Sequence, residues 1–200
     1  YSRQVINIKN NFWIVKDNFK SENEHTYKQV WQGHYSLENA PNLLRATFDD
    51  ATGLDIFQLQ KADKVTNNGA RGKQWSVVSK KESGDFSFIT AIFPYSGYDN
   101  RIDETTTISK IGNWDVNHQK LFKSDAGATI SNNITFILFE TSTIENEKIS
   151  IQLNKKSDVL IYVKDEVVVQ NIDDKPIYIS SKFWKGEKRL NPGDLLEISN

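Results

Sequence analysis

Apolar and polar residues alternate with a period of two along most of this chain. Ser2 to Ile8 alternates around Val5 and Ile6, and Phe12 to Val15 is a short apolar run that ends at Asp17. His25 to Tyr35 carries Tyr27, Val30, Trp31 and Tyr35. In Leu54 to Leu59, Leu54, Ile56 and Gln58 fall on one face and Phe57 and Leu59 on the other. Leu43 to Phe48, Trp75 to Val78 and Phe86 to Phe93 have the same character. Val, Ile, Phe, Tyr, Trp and Thr fill these runs, and Asn, Asp, Gly and Ser separate them. Short strands between turn signals predict an all-β fold, an antiparallel sandwich or barrel. Ser36 to Leu44 is the one stretch with a helical cast, and Pro41 limits it to a turn.

The second half continues the pattern, with strands predicted over Thr105 to Ile111, Ala128 to Phe139 and Lys148 to Leu153. Val159 to Val163 and Val167 to Gln170 flank a hairpin turn at Lys164-Asp165-Glu166. Ile172 to Lys175 reads as a turn before Pro176, and Leu190-Asn191-Pro192-Gly193-Asp194 as another before a closing strand, Leu195 to Ile198. Glu140 to Glu147 is polar and follows a strongly apolar strand. It suggests a division into a β-sandwich over residues 1–143 and a small C-terminal satellite sheet over 144–200, or else one continuous sandwich.

Composition sets the outer bounds. The chain has 200 residues, 38% apolar and 26% charged, enough to bury a core. Its 25 basic and 26 acidic residues leave a net charge of -1, which gives no argument for a nucleic-acid surface or a polybasic membrane anchor. No apolar run approaches the ~20 residues that span a bilayer. Cysteine is absent, which removes disulfides and thiolate chemistry. Methionine is absent too and the chain opens on Tyr1, so we expect a processed form or a fragment, with part of any functional site lying upstream.

Candidate chemistry is sparse. No nucleophile elbow, P-loop or dinucleotide fingerprint occurs. The three histidines are His25, His34 and His118. The turn between Asn18 and Glu24 would allow the Asp17 strand to pair with the strand bracketed by His25 and His34. The two histidines are nine apart and face opposite sides of an unbroken strand, unless Gly33 introduces a bulge. Asp17 and His34 are then either a metal-ligand pair or a buried histidine hydrogen-bonded to a carboxylate. Trp75, Tyr95, Tyr98, Trp114 and Trp184 are candidates for stacking on pyranose rings, although most rings in a sandwich are core. Arg101 follows Tyr95 and Tyr98 and suits a carboxylate or sulfate.

Tyr1 to Val5, Phe12-Trp13-Ile14-Val15-Lys16-Asp17, His25-Thr26-Tyr27, Trp31-Gln32-Gly33-His34, Trp75 to Val78 and Phe86 to Tyr95 together resemble the β-sandwich of the heparinase II/III-like polysaccharide lyases. The resemblance covers Tyr1 to about Arg101 and is looser beyond. It implies the C-terminal β part of a periplasmic or secreted enzyme whose N-terminal α/α toroid is the partner of this chain. Such enzymes cleave uronate-containing acidic polysaccharides, of the heparin, heparan sulfate or alginate kind, by β-elimination. The proton beside the uronate carboxylate leaves, the glycosidic oxygen is expelled and an unsaturated uronate remains. The family's catalytic Asn and Tyr come from the toroid and its catalytic His precedes the segment matched here, so no catalytic residue is expected in this chain. The resemblance implies zinc as a cofactor, with Asp17 and His34 as ligands and a further ligand upstream of Tyr1. It places His25 near the substrate-facing edge, where His25, Tyr95, Tyr98 and Arg101 form the candidate substrate-binding set. The rival expectation is a stand-alone carbohydrate-binding or adhesion sandwich without catalysis. No membrane or nucleic-acid partner is expected under either.

Overall fold

Residues 1–33, 35, 41–60, 62–70, 73–97, 109–118, 121–147 and 149–198 are described by a computed structural model, without the side chains of 67–70, 73–76 and 79. The described residues contain no helix. The chain forms two compact units, Tyr1–Ile108 and Ser109–Asn200.

The first unit holds β1 (Ser2–Ile8), β2 (Phe12–Phe19), β3 (Glu24–Gln32), β4 (Leu43–Thr47), β5 (Thr52–Gln58), β6 (Lys64–Ala70), β7 (Lys73–Ser83) and β8 (Phe86–Ser96). A five-stranded antiparallel sheet runs β1-β2-β8-β5-β4, and a three-stranded sheet runs β3-β7-β6. Tyr27 and Val78 of the smaller sheet pack against Leu44, Ile56 and Phe88 of the larger, with Phe19, Trp31, Leu54, Val65 and Phe86 around them. Phe19, Tyr27, Phe86 and Phe88 make a chain of ring contacts between 4.8 and 6.1 Å. The expected alternation in β5 is found: Leu54 and Ile56 enter this core, and Gln58 reaches across to Gln29.

The expected pairing of the Asp17 strand with the next strand is not found. Both edges of β2 are taken, by β1 and β8, so β3 crosses to the opposite sheet and pairs with β7. Asp17 also lies inside β2 rather than at its end. Of the Ser36-to-Leu44 turn, residues 36–40 lie outside the described residues, and the chain is already extended at Leu43.

The second unit holds β9 (Lys110–Ile111), β10 (Trp114–Val116), β11 (Lys123–Ser124), β12 (Ala128–Ser131), β13 (Thr135–Glu145), β14 (Ser150–Val163), β15 (Val167–Asn171), β16 (Ile177–Ser180), β17 (Lys188–Leu190) and β18 (Leu195–Ile198). All belong to one antiparallel sheet folded across its long central strands. The first part of β14 pairs with β16, and its last part with β15. The two wings share one core: Leu138, Val159, Ile161, Val169 and Ile198 meet Ile144, Ile151, Leu153, Ile177 and Ile179. The hairpin at 164–166 and the turn at 172–175 stand where the pattern predicts them, and of the turn expected at 190–194 Leu190 still belongs to β17. Asn171, fully buried, ties the last two together by donating to the carbonyls of Lys175 and Leu190.

The boundary expected between 143 and 144 falls inside β13, which pairs with β14 through Glu145, while the compact units meet at residue 108. The polar stretch there marks a bulge instead of a linker. The β13–β14 register shifts between Leu138 and Thr141 and again before Thr143, with Glu140 at φ 55°. Asp125 holds this bulge. It accepts hydrogen bonds from the Ser142 and Thr143 amides at 2.7 and 2.9 Å and from the Thr141 and Ser142 hydroxyls at 2.9 and 2.6 Å. Burial would raise its pKa, but the bonds from Ser142, Thr143 and Thr141 outweigh that and hold it well below the usual carboxylate range.

A depressed folded-state pKa stabilises above the unfolded value, and that contribution is lost as pH falls through the folded value. Asp125→Asn should therefore cost about 1 kcal/mol at neutral pH, since solvent screens this exposed carboxylate. The gap to the parent should narrow as pH drops below about 4, where carboxylates in unfolded chains protonate. Urea midpoints at stepped pH check this, and a gap independent of pH would contradict it. Asp173 works in the opposite sense, its pKa raised by burial, by a hydrogen bond with Asp174 and by Asp158, so the comparison with the variant isolates Asp125.

Candidate functional site

Asp17 stands at the centre of the first unit. β1 and β2 are joined at Lys9 to Asn11 and pair symmetrically about Asn10, whose φ of 62° closes the turn, so Arg3 lies directly opposite Asp17. Arg3 Nε and Nη2 donate to Asp17 Oδ1 and Oδ2 at 2.6 and 2.8 Å. Tyr1 Oη adds a bond to Oδ1 at 2.9 Å, and Gln29 Nε2, from the opposing sheet, one to Oδ2 at 2.9 Å. A carboxylate offers about four lone-pair positions, and four donors fill them here. Burial acts to raise the Asp17 pKa, but the bonds from Arg3, Gln29 and Tyr1 prevail and lower it.

Gln29 extends this cluster through the core. Its Oε1 accepts from Trp31 Nε1 at 3.0 Å, Gln58 Nε2 at 2.9 Å and Thr90 Oγ1 at 3.0 Å. The side chains from β2, β3, the end of β5 and β8 thus form one closed polar network between the two sheets. A half-satisfied network would be costly here, so its closure fixes the register of one sheet over the other.

As arranged, Asp17 does not fit as a zinc ligand. A guanidinium occupies both of its oxygens, and no lone pair is left for a cation. His34 lies outside the described residues. Among the described residues no three His, Asp or Glu side chains converge in a metal-binding group.

Of the substrate-binding candidates, His25 and Tyr95 are among the described residues. His25 is exposed on β3, its ring 6.0 Å from that of Tyr27. Tyr98 and Arg101 lie outside the described residues, as does the Trp75 side chain. Tyr95 is on β8, directly opposite Gly53 of β5. Its hydroxyl lies 3.0 Å from Thr47 Oγ1 and donates to the Ala46 carbonyl at 3.2 Å, and its ring sits 5.3 Å from the Arg45 guanidinium carbon. Arg45 in turn forms a two-pronged ion pair with Asp55, at 2.7 Å in each arm. Tyr95 is therefore a lid over a glycine and an ion pair, with its polar end engaged. Trp114 is buried, and Trp184 packs against the core of the second unit.

A Cβ at residue 53 would overlap the Tyr95 ring and crowd the Ala46 carbonyl oxygen. Gly53→Val should therefore lower stability by about 1–3 kcal/mol, the usual cost of overpacking. Thermal unfolding checks this, and an unchanged midpoint would contradict the ring placement.

Period-two reading placed Gln58 on the inward face of β5 without its role, and missed Arg3, Gln29 and Thr90. Arg3 was accessible from a hairpin centred on Asn10. The other three carry a weaker signal, a polar residue at an inward position of an apolar strand. No family model, no curated protein and no solved structure matches this chain.

Proposed function

We propose that this chain is the non-catalytic β portion of a heparinase II/III-like polysaccharide lyase acting outside the cytoplasm. It binds a uronate-containing acidic polysaccharide and supports the cleft in which an N-terminal toroid performs β-elimination. The observation that carries this reading is where the family-like segments meet. Those around Phe12 to Asp17, His25 to Trp31, Trp75 to Val78 and Phe86 to Tyr95 are scattered between positions 12 and 95 of the sequence. They are strands β2, β3, β7 and β8 of one sandwich: Asp17, Gln29 and Thr90 link β2, β3 and β8, and β7 pairs with β3. Zinc at Asp17 forms no part of the proposal, because the Arg3 guanidinium takes that position.

The test is to incubate the chain with heparin, heparan sulfate and alginate. Retention of the chain by one of them in affinity electrophoresis would be followed, and so would the ultraviolet absorbance of unsaturated uronate. The expected result is retention without new absorbance. Absorbance growing in proportion to the chain would overturn the non-catalytic reading, and no retention by any acidic polysaccharide would overturn the binding role.

A further inference from the structure

The second unit carries a surface that none of the preceding residues touch. In β16, Ile177 and Ile179 point into the core, so Tyr178 and Ser180 point outward. Register places Thr143 of β13, Gln152 of β14 and Ser180 of β16 in one cross-strand row. This row lies in an open trough of about 270 Å³ that Glu145, Ser181 and Lys182 also line. Beside it Tyr178 pairs with Arg189 of β17. Tyr178 is 40% exposed and Phe183, in the β16–β17 connection, 41%.

Residues 181–189 contain four cations, Lys182, Lys185, Lys188 and Arg189, against the single acid Glu187. That concentration is notable in a chain whose net charge is -1. All four cations are exposed, and the connection is fixed from below by Trp184. Lys188 Nζ lies 4.6 Å from the centre of the Trp184 ring. Among the described residues the one ion pair of these four cations is the loose contact between Lys182 Nζ and Glu145, at 3.8 Å between exposed groups, which is worth little in water.

We infer that this trough and the β16–β17 connection form a binding site for an acidic polysaccharide. Hydroxyl and amide groups along the floor match sugar hydroxyls. The exposed Tyr178 and Phe183 rings offer apolar faces to pyranose C–H groups. The Lys and Arg side chains at the rim meet carboxylate or sulfate, Arg189 with a fork suited to either. The inference rests on the polysaccharide-binding reading above and locates its contact surface in the second unit.

Titration calorimetry of the full chain tests it, with a heparin oligosaccharide and an alginate oligosaccharide as probes. Neutral dextran and a single-stranded DNA serve as comparators. Lys182→Gln/Lys185→Gln/Arg189→Gln should weaken binding of the better acidic probe by roughly tenfold or more, since charge at a rim governs encounter and fit. Tyr178→Ala alone should weaken it without changing its salt dependence. Lys9→Gln/Lys28→Gln, on exposed lysines of the first unit, should leave it unchanged. Circular dichroism identifies any variant that fails to fold, and for a misfolded triple variant Lys185→Glu, at an exposed position of the β16–β17 connection, gives the same readout. Binding that survives these changes would overturn the site while leaving the polysaccharide reading intact. DNA bound as tightly as the sugar would overturn it in favour of an unselective anion surface. No binding by the parent chain would overturn both.

Discussion

Replacing Asp55 by alanine should unfold the first unit or leave it barely stable. Arg45 and Asp55 face each other across β4 and β5, 8% and 1% exposed, with two bonds of 2.7 Å between them. Such a pair gains little over apolar residues of the same size, because each ion has been stripped of water. Removing one partner is different, since the remaining charge stays buried without compensation, at about 3–5 kcal/mol. That is a large part of the ~5–15 kcal/mol that separates folded from unfolded states in an ordinary domain. Tyr95 lies over the guanidinium and hinders water from reaching it. The double variant Arg45→Met/Asp55→Leu should recover most of the loss. Guanidinium unfolding of the single and double variants decides the matter. A mild single variant would mean that the pair is reached by solvent, and a double variant as unstable as the single one would mean that the ion pair itself organises β4 and β5.

The second large effect is expected at Gln29. This residue is 4% exposed and joins both sheets, donating to Asp17 and accepting from Trp31, Gln58 and Thr90. Gln29→Ala leaves a cavity and several buried polar groups short of a partner, for a cost of about 2–4 kcal/mol. Gln29→Leu restores most of the volume but none of the bonds, so it separates the two contributions. If the network sets the register of the sheets, the leucine variant should remain nearly as unstable as the alanine variant. Recovery to the parent's stability in Gln29→Leu would reduce the site to simple packing. Gln29→Glu adds a sharper signature. It sets a second carboxyl 2.9 Å from Asp17 Oδ2, where two negative charges resist coexisting. The raised pKa of that pair should make the glutamate variant gain stability relative to the parent as pH is lowered from neutrality.

The all-β class and most strand positions were legible because burial of one sheet face imposes a period of two. β1 and β15 follow that pattern closely, whereas β4, β5 and β8 each carry four successive buried residues and were read from their apolar and β-branched content instead. β6 escaped, since Lys64–Ala70 carries only Val65 and Ala70 as apolar residues and owes its conformation to pairing with β7. The run from Ala128 to Phe139 hid a hairpin. Asn132 closes it by accepting from the Ile134 and Thr135 amides, an Asn turn set within otherwise apolar sequence. Strand order was the least legible feature. Nothing local says that β8, rather than β3, takes the second edge of β2, because that choice depends on contacts some seventy residues apart in sequence.

The same distinction applies to the sites. Asp17 stood out as a carboxylate in an apolar strand, and its burial was foreseeable. Its partners were not, apart from Arg3, because Gln29 arrives from another sheet. Tyr95 and Trp184 were sensible stacking candidates by residue type, but tertiary packing engages their polar end or their ring face. Tyr178 and Arg189 become visible together only once β16 and β17 are paired. In sequence they are eleven positions apart and belong to separate, unremarkable runs.

The central claim is that this β chain binds acidic polysaccharide by itself and does not cut it. Its most direct test is an equilibrium titration of the chain with a size-defined uronate oligosaccharide at low and at physiological salt. Recovered sugar is then weighed by mass spectrometry. Saturable binding that weakens as salt is added is expected, because cations at a water-exposed rim are screened, with sugar recovered at its original mass. Sugar recovered as shorter chains with an unsaturated terminus, or no binding even at low salt, would contradict it.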